Sequence, residues 1–427
     1  MAVPGKLALA AKILAVIGIV CYAVGLSSDP VRTQGIFLVN IVYFLGLSAG
    51  GGALAAALVL ALGRWGRPVK RIAESFTLFL PVLWVLLAVF LMTGGLDLYE
   101  WYTHPESLHN HKAIWLTSTF FTVRVLFVLG LITLLALLLV RNSLRPDLGI
   151  ASEKLDGNHP AWWGRITAGW QGAEAEVAAG IKRQTVISVF LAMSYAYGMS
   201  FLVFDLVMSL APHWYSNMFG GWFFCSSLWL AMIGTTLFTV FNRHWLGIDV
   251  AVTNDVYHDL GKLIFGFSCL WAYMFYAQLL PIWYGNLTEE IGFLIVRLFH
   301  EPWQSVSTAV GAMCFFIPFV TLMSRGIKKM PKGLAVVLIV IAIGIWLERF
   351  VVTMPSIWGA HVGGAGWGST ELPLGPIELG ITLGFLGGFL WVTTRFLSSV
   401  PAVVVSDPFM QPNPDDVHVH SADAHAH

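Results

Sequence analysis

The chain has 427 residues, of which 57% are hydrophobic and only 11% charged, with a formal net charge of +0. A soluble protein of this length would be divided into two or three domains, but this composition describes a polytopic membrane protein with little room for a soluble one. It also lacks the basic footprint that nucleic acid requires, so no nucleic-acid partner is expected.

Apolar runs of about twenty residues, long enough to cross a bilayer, occur ten times: near 7–26, 36–62, 74–94, 113–140, 184–211, 221–241, 261–284, 303–324, 333–354 and 376–397. Lys12 interrupts the first run and no small-x-small site precedes a polar mature start. That run therefore reads as a retained anchor rather than a signal peptide. An even number of spans puts both termini on one side. That side carries eighteen of the 24 Lys and Arg residues, against Arg32, Lys112 and Arg297 on the other. Positive charge concentrates on the cytoplasmic side, so both termini are expected there.

The expected organisation is an anchor helix and outer loop (1–35), three spans (36–141) and a cytoplasmic loop (142–183). A fifth span (184–211), a stretch holding the next four spans (212–354), an outer Gly-rich loop with the last helix (355–400) and a tail (401–427) follow. In the second span Ser48-Ala-Gly-Gly-Gly52-Ala is a small-residue face that lets another helix approach closely. The basic turn from Arg64 to Arg71 marks the cytoplasmic surface. Glu74 just inside it either pairs with Arg71, caps its own helix or opens a proton path.

The outer loop 95–112 holds Tyr99, Trp101, Tyr102, His104, His109 and His111 and reads as an interfacial aromatic belt facing a peripheral partner. Arg124 lies eleven residues into the fourth run, about 17 Å along a helix and near the bilayer midplane, where it needs a carboxylate, carbonyl or ligand oxygen. In segment 142–183 an amphipathic helix is expected from Thr167 to Gln184, lying on the cytoplasmic face.

Ionisable groups inside hydrocarbon cost several kcal/mol on insertion scales, of order 3 for an Asp at the helix centre, so each needs a partner, a proton or a task. Asp205 lies about 10 Å below the outer end of the fifth run, with Tyr195 and Tyr197 on the approach and His213 in the aromatic loop beyond. Glu348 and Arg349 sit at a similar depth in the ninth run, and Glu378 just inside the tenth. Gln278 and Tyr284 mark a polar seam in the seventh, and 285–302 is expected to form an outer interfacial helix. A proton path or quinone pocket built from these groups competes with a purely structural ion-pair network. Loop 355–375 is Gly-rich without a phosphate motif. The tail, with His418, His420, His425 and His427, is low in complexity.

The thirteen histidines fall in loops, at span ends or in the tail, so no haem b or copper centre is expected in this chain. Cys21, Cys225, Cys269 and Cys314 form no CxxC or cluster spacing and read as apolar fillers. There is no P-loop, catalytic triad or HExxH.

Several stretches together carry a resemblance: Arg71-Ile-Ala-Glu74, Asp97-Leu-Tyr99-Glu-Trp101, Phe120-Phe-Thr-Val-Arg124, Phe204-Asp205-Leu-Val-Met-Ser-Leu-Ala-Pro-His213-Trp-Tyr-Ser, Asp259-Leu-Gly-Lys262 and Gln278-Leu-Leu-Pro-Ile-Trp283-Tyr-Gly-Asn-Leu-Thr-Glu-Glu290. Over about residues 30–400 the chain resembles the NrfD-like membrane subunits of bacterial alternative complex III, the quinol:cytochrome c oxidoreductase, and within them the ActF-type subunit. The resemblance implies ten helices, arranged as two four-helix bundles and a peripheral pair. It implies partners as well: a second NrfD-like subunit, a multihaem cytochrome c subunit and an iron–sulfur subunit, with menaquinol or ubiquinol as the reductant and membrane lipids around them. Haem and iron–sulfur clusters would lie in those partners, nothing would be bound covalently here, and this chain would offer a proton path or a second quinone pocket, with Asp205 as the central proton carrier and Arg124 as its counter-charge. A secondary transporter or ion channel using the same buried carboxylates is the alternative. It predicts discontinuous helices in matching halves.

Overall fold

In a computed structural model the described residues are 2–107, 111–155, 159–363, 372–407 and 410. Ten helices among them are long and apolar enough to span a membrane, and the fold is that of an all-α, multi-pass membrane protein. The spans are α1 (Gly5–Ser28), α2 (Pro30–Leu60), α3 (Arg67–Met92), α4 (Ser118–Lys154) and α5 (Ala173–Leu206). The remaining five are α6 (Asn217–Leu246), α7 (Asn254–Gly285), α8 (Trp303–Met323), α9 (Pro331–Gly363) and α10 (Pro376–Ser399).

Helices α2 to α5 pack on one another, α6 to α9 do the same, and α1 pairs with α10 along its length. The two groups of four meet where α2 lies against α6 and α9. Helix α2 is the centre of the molecule. Its most apolar window is 89% buried at a mean hydropathy of 1.8, whereas that of α1 is 11% buried at 2.4. Hydropathy thus says that a helix enters the membrane, not whether it faces lipid or protein.

What sets α2 apart is its small residues. A Cβ built on Gly50 would come within 2.5 Å of the Ser227 carbonyl oxygen on α6, and one on Gly51 within 2.6 Å of the Ala73 carbonyl on α3. Backbones this close leave no room for any other residue, so the small-residue face serves helix packing in two directions.

Several expectations are corrected. Residues 142–183 are not a loop with a surface helix. Helix α4 runs on to Lys154 and α5 starts at Ala173, so more than half of the segment continues the two spans, with a short helix, Ala161–Ile166, between them. The fourth span begins at Ser118, because a separate short helix, His111–Trp115, ends before it. Arg124 is therefore six residues from a helix start, about 9 Å, and near one end of the span instead of its middle; this end, opposite the start of α1, is called outer below and the other inner. Tyr99 and Trp101 are core residues, with the Tyr99 hydroxyl donating to the Leu206 carbonyl at 2.9 Å, so they form no exposed belt. Arg67, Lys70 and Arg71 are buried, not part of a surface turn. Helix α9 continues to Gly363, well into the stretch read as a loop. The outer helix expected at 285–302 is present as Thr288–Phe299. His109 and the histidines of the tail lie outside the described residues.

Candidate functional site

Glu348 and Arg349, neighbours on α9, form a fully buried ion pair within the second group of helices. Adjacent positions on a helix point about 100° apart, so the two side chains serve different neighbours. Arg349 turns to α6, donating to the Ser226 hydroxyl at 2.7 Å and stacking its guanidinium 4.2 Å from the Phe223 ring. Glu348 turns to α7 and accepts from the Trp271 indole N–H at 2.6 Å. Charges taken this far out of water persist only where their hydrogen bonds are largely replaced; here the Glu348 oxygens and the terminal nitrogens of Arg349 have partners, and Arg349 Nε has none.

Glu348 also borders a cavity of about 310 Å³, within the range of about 300–1,000 Å³ seen for small-molecule pockets. Its walls are aromatic: Trp271 and Phe275 from α7 lie nearly parallel, and Trp214 stacks on Phe293 with ring centroids 3.8 Å apart. Gln278, Arg297 and Gln304 supply the polar edge. On the α8 side the wall runs from Gln304 to Gly311 and ends on Phe315 and Phe316, which belong to the stretch Ala312–Phe316, wound as a π-helix. Such single-turn insertions recur at functional sites, because they turn side chains out of the ordinary helical register.

A second buried pair lies at the outer end of the first group. Arg124 grips Asp205 with two hydrogen bonds, Nε to Oδ2 at 2.7 Å and a terminal nitrogen to Oδ1 at 2.8 Å. The Trp115 indole donates to the same carboxylate at 3.2 Å, and its ring lies 3.9 Å from the guanidinium. Arg124 also donates to the Trp115 carbonyl at 3.1 Å. Bidentate and stacked, this arrangement spends the carboxylate oxygens on fixed partners and clamps α4, α5 and the short His111–Trp115 helix together.

A third cluster closes the inner end. Arg71 bonds Glu74 at 2.5 Å and also pairs with Asp147. Lys70 donates to Gln184 at 2.9 Å and stands 3.7 Å from Glu74. Arg67 pairs with Asp407 at 2.6 Å. Three cations thus face three carboxylates, nearly all out of water, beside a small void of about 40 Å³.

The residues singled out in the sequence separate into distinct places. Asp205 and Arg124 come together, and Glu348 and Arg349 form the central pair with Gln278 across the cavity. Tyr195 is buried and donates to the Phe224 carbonyl at 2.7 Å, on the side of α5 that meets α6. Glu74 belongs to the inner cluster, and Glu378 pairs with Arg32 at 2.5 Å near the outer end of α10. Tyr197 is 66% exposed on the outside of α5 and Tyr284 84% exposed at the end of α7, so neither joins a site; His213 is exposed in its loop. Sequence reasoning missed Asp147, Asp407, Lys70 and Trp271. Asp147 carried a readable signal, being an acid within a turn of the Pro146 that α4 tolerates in its extension; Asp407 had none.

No protein-family model matches the chain, and no curated protein does. Fold and site define a class only: a multi-pass helical membrane protein with charge clusters at its inner end, its outer end and its centre, the central one bordering an aromatic cavity.

Proposed function

We propose that the chain is an integral membrane subunit of a respiratory quinol-oxidising complex of the NrfD-like kind. It would lie in the bacterial inner membrane with both termini cytoplasmic, and carry protons between the inner cluster and Glu348. Haem and iron–sulfur centres would belong to partner subunits, among them a second NrfD-like chain.

The observation that carries this reading is a file of buried hydroxyls between the two acids. Ser226 and Ser227 stand at the Arg349 level of α6, and Thr235, Thr236 and Thr239 lie roughly 12–20 Å further toward the inner end, all of them buried; the hydroxyls of Ser226, Thr236 and Thr239 donate to carbonyls of their own helix. Ser48 on α2 and Ser188 on α5 are buried on the same packed core. The hydroxyls of Ser48, Ser188 and Thr235 make no hydrogen bond. A buried hydroxyl normally finds a partner, and one left open beside others can take up water or pass a proton. Glu348 at one end and Glu74 at the other are the acids that would exchange protons with this file.

The transporter reading has less support. Among the described residues, departures from α-helical winding inside the spans fall at Arg67–Val69 and Thr77–Phe79 in α3 and at Ala312–Phe316 in α8, the second helix of one group and the third of the other. These are not matching positions, as inverted repeats with paired broken helices would require.

Glu348→Gln keeps the shape and the acceptor for Trp271 but removes the titratable group. In the assembled complex it should slow quinol oxidation at least tenfold with unchanged subunit composition. Wild-type turnover in that variant would remove Glu348 from the path.

A further inference from the structure

Two cations of the peripheral helix pair, Lys12 on α1 and Arg395 on α10, have no carboxylate within ion-pair distance among the described residues, and their side chains make no hydrogen bond there. Lys12 lies seven residues after Gly5, about 10 Å from the start of α1, and Arg395 four residues before Ser399, about 6 Å from the end of α10. A charge at such depth is costly unless its head reaches water or meets a counter-charge.

The pair is close and antiparallel. Gly384 of α10 lies against Gly18 of α1, and a Cβ built on Gly387 would come within 2.6 Å of the Ala11 carbonyl oxygen. Side chains lean toward the N-terminus of their own helix. Lys12 therefore leans toward the inner end and Arg395 away from it, and both line one hollow of about 300 Å³ beside Trp391. That hollow shares Trp391, Arg395 and Ser398 with a wider one of about 720 Å³, whose far side is Pro160 and Trp162. The short helix Ala161–Ile166 is moored at this place by the Trp163 indole, which donates to the Ser399 carbonyl at 3.1 Å.

The groove so formed has a polar head and an apolar bed. Its cations stand at the inner end, while Leu78, Val392 and Phe396 line its floor. Trp391 is 45% exposed, so the groove opens sideways from α10. Tryptophans settle at the headgroup level of a bilayer, and basic pockets between spans take anionic headgroups. A phosphate is the counter-charge that both cations lack, and acyl chains suit the floor below it.

We infer that this groove binds an anionic phospholipid from the leaflet at the inner end, its phosphate between Lys12 and Arg395 and its acyl chains along Val392 and Phe396. The site stands whether or not the chain belongs to a respiratory complex.

The full-length chain, delipidated in mild detergent, would be titrated with dioleoyl phosphatidylglycerol and followed by native mass spectrometry. One saturable adduct is expected, roughly tenfold tighter than that of dioleoyl phosphatidylcholine. Lys12→Gln and Arg395→Gln should each weaken it roughly fivefold. Trp162→Ala, which opens the opposite wall without touching a charge, should weaken it too. Lys332→Gln removes an exposed cation at the start of α9, at the same end of the molecule, and should leave the adduct unchanged. Equal binding of the two lipids, or wild-type affinity in both Lys12→Gln and Arg395→Gln, overturns the inference. So does equal weakening by Lys332→Gln, which would reduce the effect to net charge. Displacement by millimolar inorganic phosphate would make the groove a site for the free anion and overturn the lipid assignment.

Discussion

The backbone N–H of Ser406 donates to Asp147 Oδ1 at 2.7 Å, joining the end of the described chain to the inner extension of α4. One residue on, Asp407 meets Arg67 at 2.6 Å and stands 3.9 Å from Lys70. The segment after α10 is therefore part of the core at this end, and not, as far as Asp407, a loose tail.

Without Asp407 the inner cluster keeps three cations against two carboxylates. Removing one partner of a buried pair costs about 3–5 kcal/mol, because the other charge stays buried. Asp407→Asn should lower the melting temperature of the detergent-purified protein markedly, and truncation after Val403 should do so at least as strongly. A melting curve identical to wild type would show that the charge balance does not depend on this residue.

The clamp at the outer end gives a second prediction. Asp205→Asn and Arg124→Leu should each destabilise by roughly 3–5 kcal/mol, and the double variant by less than the sum. Arg124→Lys should not restore stability, since an ammonium cannot make the paired contacts of the guanidinium. Additive losses in this cycle would mean that the two residues act separately. Asp205, the central proton carrier that the resemblance implies, is held by Arg124 and Trp115 much as Glu348 is by Arg349 and Trp271; the proposal runs the path through Glu348 because its partner Arg349 meets the buried hydroxyls of α6.

The close approach at α2 gives a third. Gly50→Ala puts a carbon where the Ser227 carbonyl lies 2.5 Å away, and overpacking of this kind costs about 1–3 kcal/mol. Gly266→Ala, where nothing lies within 4 Å, should be neutral or slightly stabilising. Thermal melting of the two variants side by side is the check, and equal effects would contradict the packing described for α2.

The ten spans were legible because twenty apolar residues in a row are a local property, and the Gly-rich face of α2 was legible because small residues signal contact wherever they fall. Arg124 and Asp205 were readable as partners from their cost alone. Their depth was not. The break at Leu116 and Thr117 leaves no trace in hydropathy, and it moved Arg124 from the midplane to the outer end. The inner cluster was hidden for a related reason. Lys70 and Arg71 look like surface charges until Asp147 and Asp407, distant in the sequence, arrive to pair with them. The cavity could be anticipated only in part, from Gln278 and Glu348, since Trp271, Phe293 and Arg297 converge through tertiary packing.

The most direct test of the central claim is purification from native membranes in mild detergent, followed by a visible spectrum and subunit identification. The proposal predicts c-type haem and iron–sulfur subunits in the same particle, with the haems reduced on addition of quinol. A colourless, monodisperse preparation of this chain alone, stable and without redox partners, would contradict it.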